Sequence, residues 1–168
     1  MRALFIILFV GCLGVQAQED KLRYHGFYAE ALSLHPFNTD DYGALVGFGF
    51  GVSFKSKEHI FRTYLTAAIY PLIFLAENPP HYEELAFLYG REYKLSERIS
   101  GDVFLGAAYF NFNNGWDKKT TSLGFPIHTS IRYALMNEVS LGIMYGFNAN
   151  ANKPVHRIGL SFYWKPKK

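Results

Sequence analysis

Cysteine is almost missing from this chain. Its single example, Cys12, sits inside an apolar leader, so no disulfide can staple the rest. Stability has to come from strand pairing and burial. No basic stripe stands out either, which removes the electrostatic footprint of a nucleic-acid binder. Histidines occur at His25, His35, His59, His81, His128 and His156, scattered without ligand spacing, so no metal is expected. No cofactor is expected.

The apolar run Ala3–Val10 is too short to cross a bilayer as a helix. With Arg2 before it and Val15-Gln16-Ala17 after it, it reads as a secretory signal cleaved before Gln18. A rival reading lipidates Cys12. Phe9, standing where such signals favour leucine, and the short apolar run before Cys12 count against it. Residues 1–17 are thus expected to be signal peptide and residues 18–168 one domain. Losing Arg2 and no acid lowers the formal charge from +3 to +2.

What the chain has in quantity is aromatic residues, at 18%, and alternation. Over Leu123–Leu135, Leu123, Phe125, Ile127, Thr129, Ile131, Tyr133 and Leu135 share one parity, and Gly124, Pro126, His128, Ser130, Arg132 and Ala134 the other. After the turn Met136-Asn137-Glu138 the pattern resumes, with Val139, Leu141, Ile143, Tyr145 and Phe147 against Ser140, Gly142, Met144, Gly146 and Asn148. Side chains on a strand alternate faces, so this is a strand–turn–strand unit.

The same reading yields further strands at Tyr24–Leu34, Tyr42–Phe54, His59–Tyr70, Glu84–Leu95, from about Asp102 to Tyr109, and Val155–Trp164. Gly43, Gly47, Gly49 and Gly51 line one face of the second strand, leaving room for large neighbours such as Tyr28 and Tyr64. Pro126 lacks a ladder donor and calls for a bulge or a place near the strand's beginning. Arg91 falls on the apolar face, close enough to the strand's end to snorkel. Asn111–Thr121 and Asn148–Pro154 read as polar loops. Pro71–Glu83 reads as a continuation of the third strand folded over one mouth.

Two observations choose between a soluble sandwich and a membrane barrel. Connections after even strands (Lys55–Glu58, Ser96–Ile99, Met136–Glu138) are short, whereas those after odd strands are longer. A transmembrane barrel sorts its loops this way, with tight periplasmic turns and longer outer loops. The outward aromatics also fall into two bands, Phe54, Phe61, Tyr93, Tyr133 and Trp164 at one edge, Tyr42, Tyr109, Phe125 and Phe147 at the other. The expected fold is all-β, an eight-stranded antiparallel up-and-down transmembrane barrel. Its inward parity collects Glu30, Arg62, Glu84, Glu92, Asp102, His128, Arg132 and Arg157. Mixed signs suggest a salt-bridged plug, since eight strands leave an interior that side chains just fill.

The end of the chain, Arg157-Ile158-Gly159-Leu160-Ser161-Phe162-Tyr163-Trp164, resembles the C-terminal assembly signal of Gram-negative outer-membrane proteins, with Gly159, Phe162 and Trp164 as its marks. The chain is similar over residues 20–165 to the small eight-stranded outer-membrane β-barrel family. That resemblance implies an outer-membrane address. Its implied partners are lipid and lipopolysaccharide, the secretion machinery and the β-barrel assembly machinery. The apolar-out, polar-in parity and the sorted loop lengths lead to the expectation of a non-enzymatic barrel with a plugged interior and a structural or adhesive role through outer loops. Separately, His128-Thr129-Ser130 looks like the His-x-Ser of outer-membrane lipid A deacylases, in which histidine activates a serine. Ile131 stands where that motif has Asn, and parity turns both residues inward, away from lipid. No catalytic residue is assigned. A soluble lipocalin-like carrier would need an apolar lumen and a polar outside, the reverse of the reading.

Overall fold

A strand with one apolar and one polar face has to hide one of them, and in a ring of such strands every ladder can close. The computed structural model describes residues 22–36, 44–71, 79–113, 119–150 and 154–166. It contains β1 (Arg23–Pro36), β2 (Leu45–Ser56), β3 (His59–Ile69), β4 (His81–Lys94), β5 (Ile99–Asn113), β6 (Lys119–Ala134), β7 (Val139–Ala149) and β8 (Val155–Trp164). Each strand pairs antiparallel with its sequence neighbours. β8 returns to β1 through Phe27↔Trp164 to Pro36↔Val155, which closes an up-and-down barrel with no free lateral edge. No helix long and apolar enough to cross a membrane is found among the described residues, a statement that does not bear on strands.

Burial is inverted relative to a water-soluble barrel. Along β2 the buried residues are Leu45, Gly47, Gly49, Gly51 and Ser53, while Val46, Phe48, Phe50 and Val52 are exposed. Phe48 is 74% exposed and Leu160 68%, whereas Glu84, Asp102 and Arg157 are each 2% exposed. A continuous coat of exposed Leu, Ile, Val and aromatic side chains around a charged interior is stable against hydrocarbon, not water. The carrier reading fails on this observation.

The glycine face of β2 acts as the sequence suggests. A Cβ at Gly49 would lie 2.0 Å from the Tyr64 hydroxyl, and one at Gly51 would meet the Tyr28 ring at 2.9 Å. Tyr28 and Tyr64 stack on each other at 5.5 Å in the space so created. Short turns join β2–β3, β4–β5 and β6–β7, and the longer connections gather at the opposite end. In the β2–β3 turn Lys57 takes φ 53°, the left-handed region that glycine occupies more easily.

Several expectations change. Strand 2 begins at Leu45, and Tyr42 lies outside the described residues, as do residues 1–21 with the expected signal and Cys12. β5 and β6 run to Asn113 and from Lys119, paired through Asn113↔Lys119, so the expected long loop shrinks to residues 114–118. These strand ends are polar because backbone pairing continues where an apolar coat is no longer needed. β7 runs through Ala149, which makes Asn148 a strand residue. His81–Glu83 open β4, and Tyr70 N donates to Pro80 O at 3.1 Å; residues 72–78 of the expected fold-over lie outside the described set. Pro126 sits inside β6 and needs neither bulge nor strand start. The β5–β6 ladder skips from Leu105↔Ile127 to Ala108↔Gly124 with no change of register. The bulge is in β1 instead, between Tyr24 and Gly26.

Candidate functional site

The lumen is the chemically dense part of the molecule. All eight inward charged residues expected from parity face it, and the barrel curvature brings them into two connected groups. In the group towards the long loops, Arg157 from β8 reaches Glu84 of β4 at 2.9 Å and Thr66 of β3 at 3.1 Å. It also donates to His128 Nε2 and lies over the Tyr64 ring. Glu84 accepts further bonds from Asn148 Nδ2 at 2.6 Å and from the Tyr82 hydroxyl. Glu30 accepts from Tyr64.

The second group lies towards the short turns. Asp102 of β5 binds Arg132 at 3.0 Å and Arg62 at 3.5 Å. Arg132 bridges on to Glu92 at 2.9 Å, and Glu92 takes Lys165 at 2.7 Å. The Arg62 guanidinium is sandwiched between the Tyr28 and Phe104 rings, at 3.9 and 3.8 Å. Four carboxylates (Glu30, Glu84, Glu92, Asp102) thus face four cations (Arg62, Arg132, Arg157, Lys165), and the lumen is close to neutral. Pairing of this kind is what makes buried charge tolerable.

Above these groups the lumen is closed by Leu34, Leu45, Tyr82, Phe110, Phe112 and Val155, all nearly inaccessible. A second buried cluster (Tyr28, Ile60, Tyr64, Leu88, Phe104, Tyr163) fills the spaces around the lower charges.

Sequence reading missed several members. Tyr82 obeys parity and could have been found by extending it past the expected start of the fourth strand; Thr66 and Asn148 already fall on the inward parity of the third and seventh strands, and what stayed hidden was their bonding to Arg157 and Glu84. Gly124 fits Asn148 in particular, since a Cβ there would lie 1.9 Å from Asn148 Oδ1. His25 could not have been found so. Its parity is outward, but the β1 bulge turns it in, 3.7 Å from Glu92 and 6.0 Å from the Tyr163 ring. Lys165 lies just beyond β8, where alternation no longer speaks.

His128 and Ser130 both point inward, as parity requires, and are buried. Among the described residues no hydrogen bond joins them. His128 Nε2 is occupied by Arg157, and no carboxylate orients the ring. Thr129 between them faces outward and donates to Asp102 O at 2.9 Å. No group of three His, Cys, Asp or Glu among the described residues is placed to hold a metal.

The aromatic residues expected to form the two bands lie on the outer wall wherever they are described. Tyr93, Tyr109 and Tyr133 are exposed, and Phe54, Phe61 and Phe147 half-buried. Phe54 faces Phe61 across β2–β3 and Tyr24 across β1–β2, and Phe61 touches Tyr89, at the short-turn end. Phe162 and Trp164 also face outward, while Gly159 lets Leu32 approach from inside. Arg91 is exposed and pairs with Glu58 of the neighbouring turn at 3.5 Å.

No protein-family model matches the chain, and no curated protein matches it in sequence. Solved structures do match in fold. Ail, the attachment invasion locus protein of Yersinia pestis, superposes with a TM-score of 0.63 at 10% identity, covering 86% of this chain and 99% of Ail. Neisserial surface protein A gives 0.57 at 15% identity, with 85% and 96% covered. The outer membrane enzyme PagL gives 0.50 at 12% identity, with 83% and 99% covered. One of these is named for attachment and another is an enzyme, so the shared barrel does not name an activity. This chain shares the fold of the small eight-stranded outer-membrane β-barrels, a closed antiparallel up-and-down barrel.

Proposed function

We propose that the protein is a non-enzymatic barrel of the outer membrane, sealed along its axis, that serves the envelope as a structural or adhesive element through its outer loops. One observation carries this reading. Among the described residues the lumen is lined by charges that pair across it and, towards the long loops, by a buried apolar cluster, and the His128 and Ser130 side chains are buried within it. On this reading Glu30, Arg62, Glu84, Glu92, Asp102, His128, Arg132 and Arg157 are the plug. The outward aromatics, Phe54, Phe61, Tyr93, Tyr109, Tyr133, Phe147 and Trp164, seat the barrel at the two lipid–water boundaries. Gly159, Phe162 and Trp164 present the last strand to the assembly machinery, and lipid and lipopolysaccharide are the immediate surroundings. Residues 1–17 direct export. An adhesive role also agrees with the likeness to a protein named for attachment.

The test compares cells with the gene, without it, and with residues 114–118 replaced by a Gly-Ser linker. Adherence or envelope integrity should fall in both altered strains, with the lipid A acyl pattern unchanged and no stepwise conductance from the purified barrel in planar bilayers. A changed acyl pattern would overturn the non-enzymatic reading in favour of the acyl hydrolase, and steady conductance would overturn the seal.

A further inference from the structure

The outer wall is not uniform. Between β6 and β7 a groove of about 530 Å³ runs along the surface, walled by Ile99, Thr129, Ile131, Tyr133, Leu141 and Ile143. Its long axis follows the directly opposed pairs Thr129↔Tyr145, Ile131↔Ile143 and Tyr133↔Leu141. Four residues of strand rise give it a length of roughly 13 Å, a little under half of a bilayer's ~30 Å hydrocarbon thickness. With strands tilted by about 40° it spans about 10 Å of depth, which fits within one leaflet. Its outward hydroxyls are engaged, Thr129 with Asp102 O at 2.9 Å, Tyr133 with Arg98 and Tyr145 with His156, so the lining is apolar in effect.

At the short-turn end of the groove stands Arg98, in the β4–β5 turn. Its Nη1 donates to the Tyr133 hydroxyl at 3.1 Å, and its carbonyl accepts from Ala134 N at 2.8 Å. The turn is braced by Leu95 N to Ile99 O at 2.9 Å and Ile99 N to Ser96 Oγ at 3.1 Å. Among the described residues no carboxylate lies within 4 Å of Arg98, in contrast to Arg62, Arg91, Arg132, Arg157 and Lys165, each of which has an acid. A guanidinium fixed by one hydrogen bond retains four N–H groups in a planar fork suited to a phosphate.

We propose that Arg98 and the β6–β7 groove form a site for one anionic diacyl phospholipid of the periplasmic leaflet, its phosphodiester on Arg98 and one acyl tail along Ile131 and Ile143. Charge complementarity selects the headgroup, and the apolar groove receives a tail. The site rests on the orientation in which short turns face the periplasm. The test does not, because it is made in detergent.

The purified full-length barrel is mixed with equal amounts of phosphatidylglycerol and phosphatidylethanolamine, and retained lipid is counted by native mass spectrometry. One phosphatidylglycerol per barrel should be retained, with a preference of about fivefold, the usual worth of one cation at a membrane surface. R98Q should bring the preference to about one while tail retention persists. T129F, which fills the groove, should remove retention of both lipids. Heat-shifted migration on gels shows that each variant is folded. Equal preference in wild type and R98Q would overturn the headgroup assignment, and undiminished retention by T129F would overturn the groove.

Discussion

Arg157→Met tests whether the charges in the lumen depend on one another. The substitution keeps most of the volume and deletes the bonds to Glu84, Thr66 and His128. Glu84 would keep Asn148 and Tyr82 but lose the only cation within 4 Å of it among the described residues. Removing one partner of a buried pair costs about 3–5 kcal/mol, mostly because the survivor is left charged and uncompensated. Glu84→Gln removes that charge and keeps an acceptor for Asn148 and Tyr82. The double variant should therefore recover at least about 2 kcal/mol relative to the sum of the singles. The assay is equilibrium urea unfolding in phospholipid vesicles, followed by tryptophan fluorescence and by heat-shifted migration on gels. A loss below about 1 kcal/mol in Arg157→Met, or strict additivity in the double, would refute the reasoning, because either would mean that Glu84 does not need its partner.

Ile143→Arg on the lipid face should cost about 2–4 kcal/mol, and Leu141→Arg, nearer the short-turn end, less; equal costs in vesicle unfolding would contradict the depth assigned to these rows. Gly49→Ala forces the Tyr64 hydroxyl away and should cost about 1–3 kcal/mol, with a changed near-UV circular dichroism spectrum. In a Tyr64→Leu background, which itself loses the bond to Glu30, Gly49→Ala should cost much less. Ser130→Ala should leave the lipid A acyl pattern unchanged by mass spectrometry, since His128 Nε2 is committed to Arg157. Lys57→Gly relieves a left-handed backbone and should raise stability by up to about 1 kcal/mol in the same urea titration.

How far the sequence spoke depends on which rule applied. Period-two alternation is local and strict, so the two faces of the strands outside the β1 bulge, the inward placement of the eight lumen charges and the room that Gly49 leaves for Tyr64 were legible. Pairing partners were not, because they depend on register summed around the ring: Arg157 and Glu84 are 73 positions apart. Strand ends were also hidden. Past the hydrocarbon, backbone pairing continues without any demand for apolar side chains, so Asn111–Asn113, Lys119–Thr121 and Asn148 looked like loop. His25 escaped for a different reason, since one extra residue in β1 reverses the parity before it. Pro126 misled because a missing donor suggested a distorted strand, and the ladder merely omits two pairs.

The placement of Arg157 and Lys165 bears on the order in which the molecule can be built. Strands one to seven bring all four lumen carboxylates but only two of the cations that neutralise them; the other two arrive with the closing segment. An unclosed ribbon therefore carries surplus negative charge along the side that must become dry. Zipping the final hairpin against the first strand cancels that surplus and shuts the ring in one event, so half-made forms are held out of the lipid until the chain's tail is in hand.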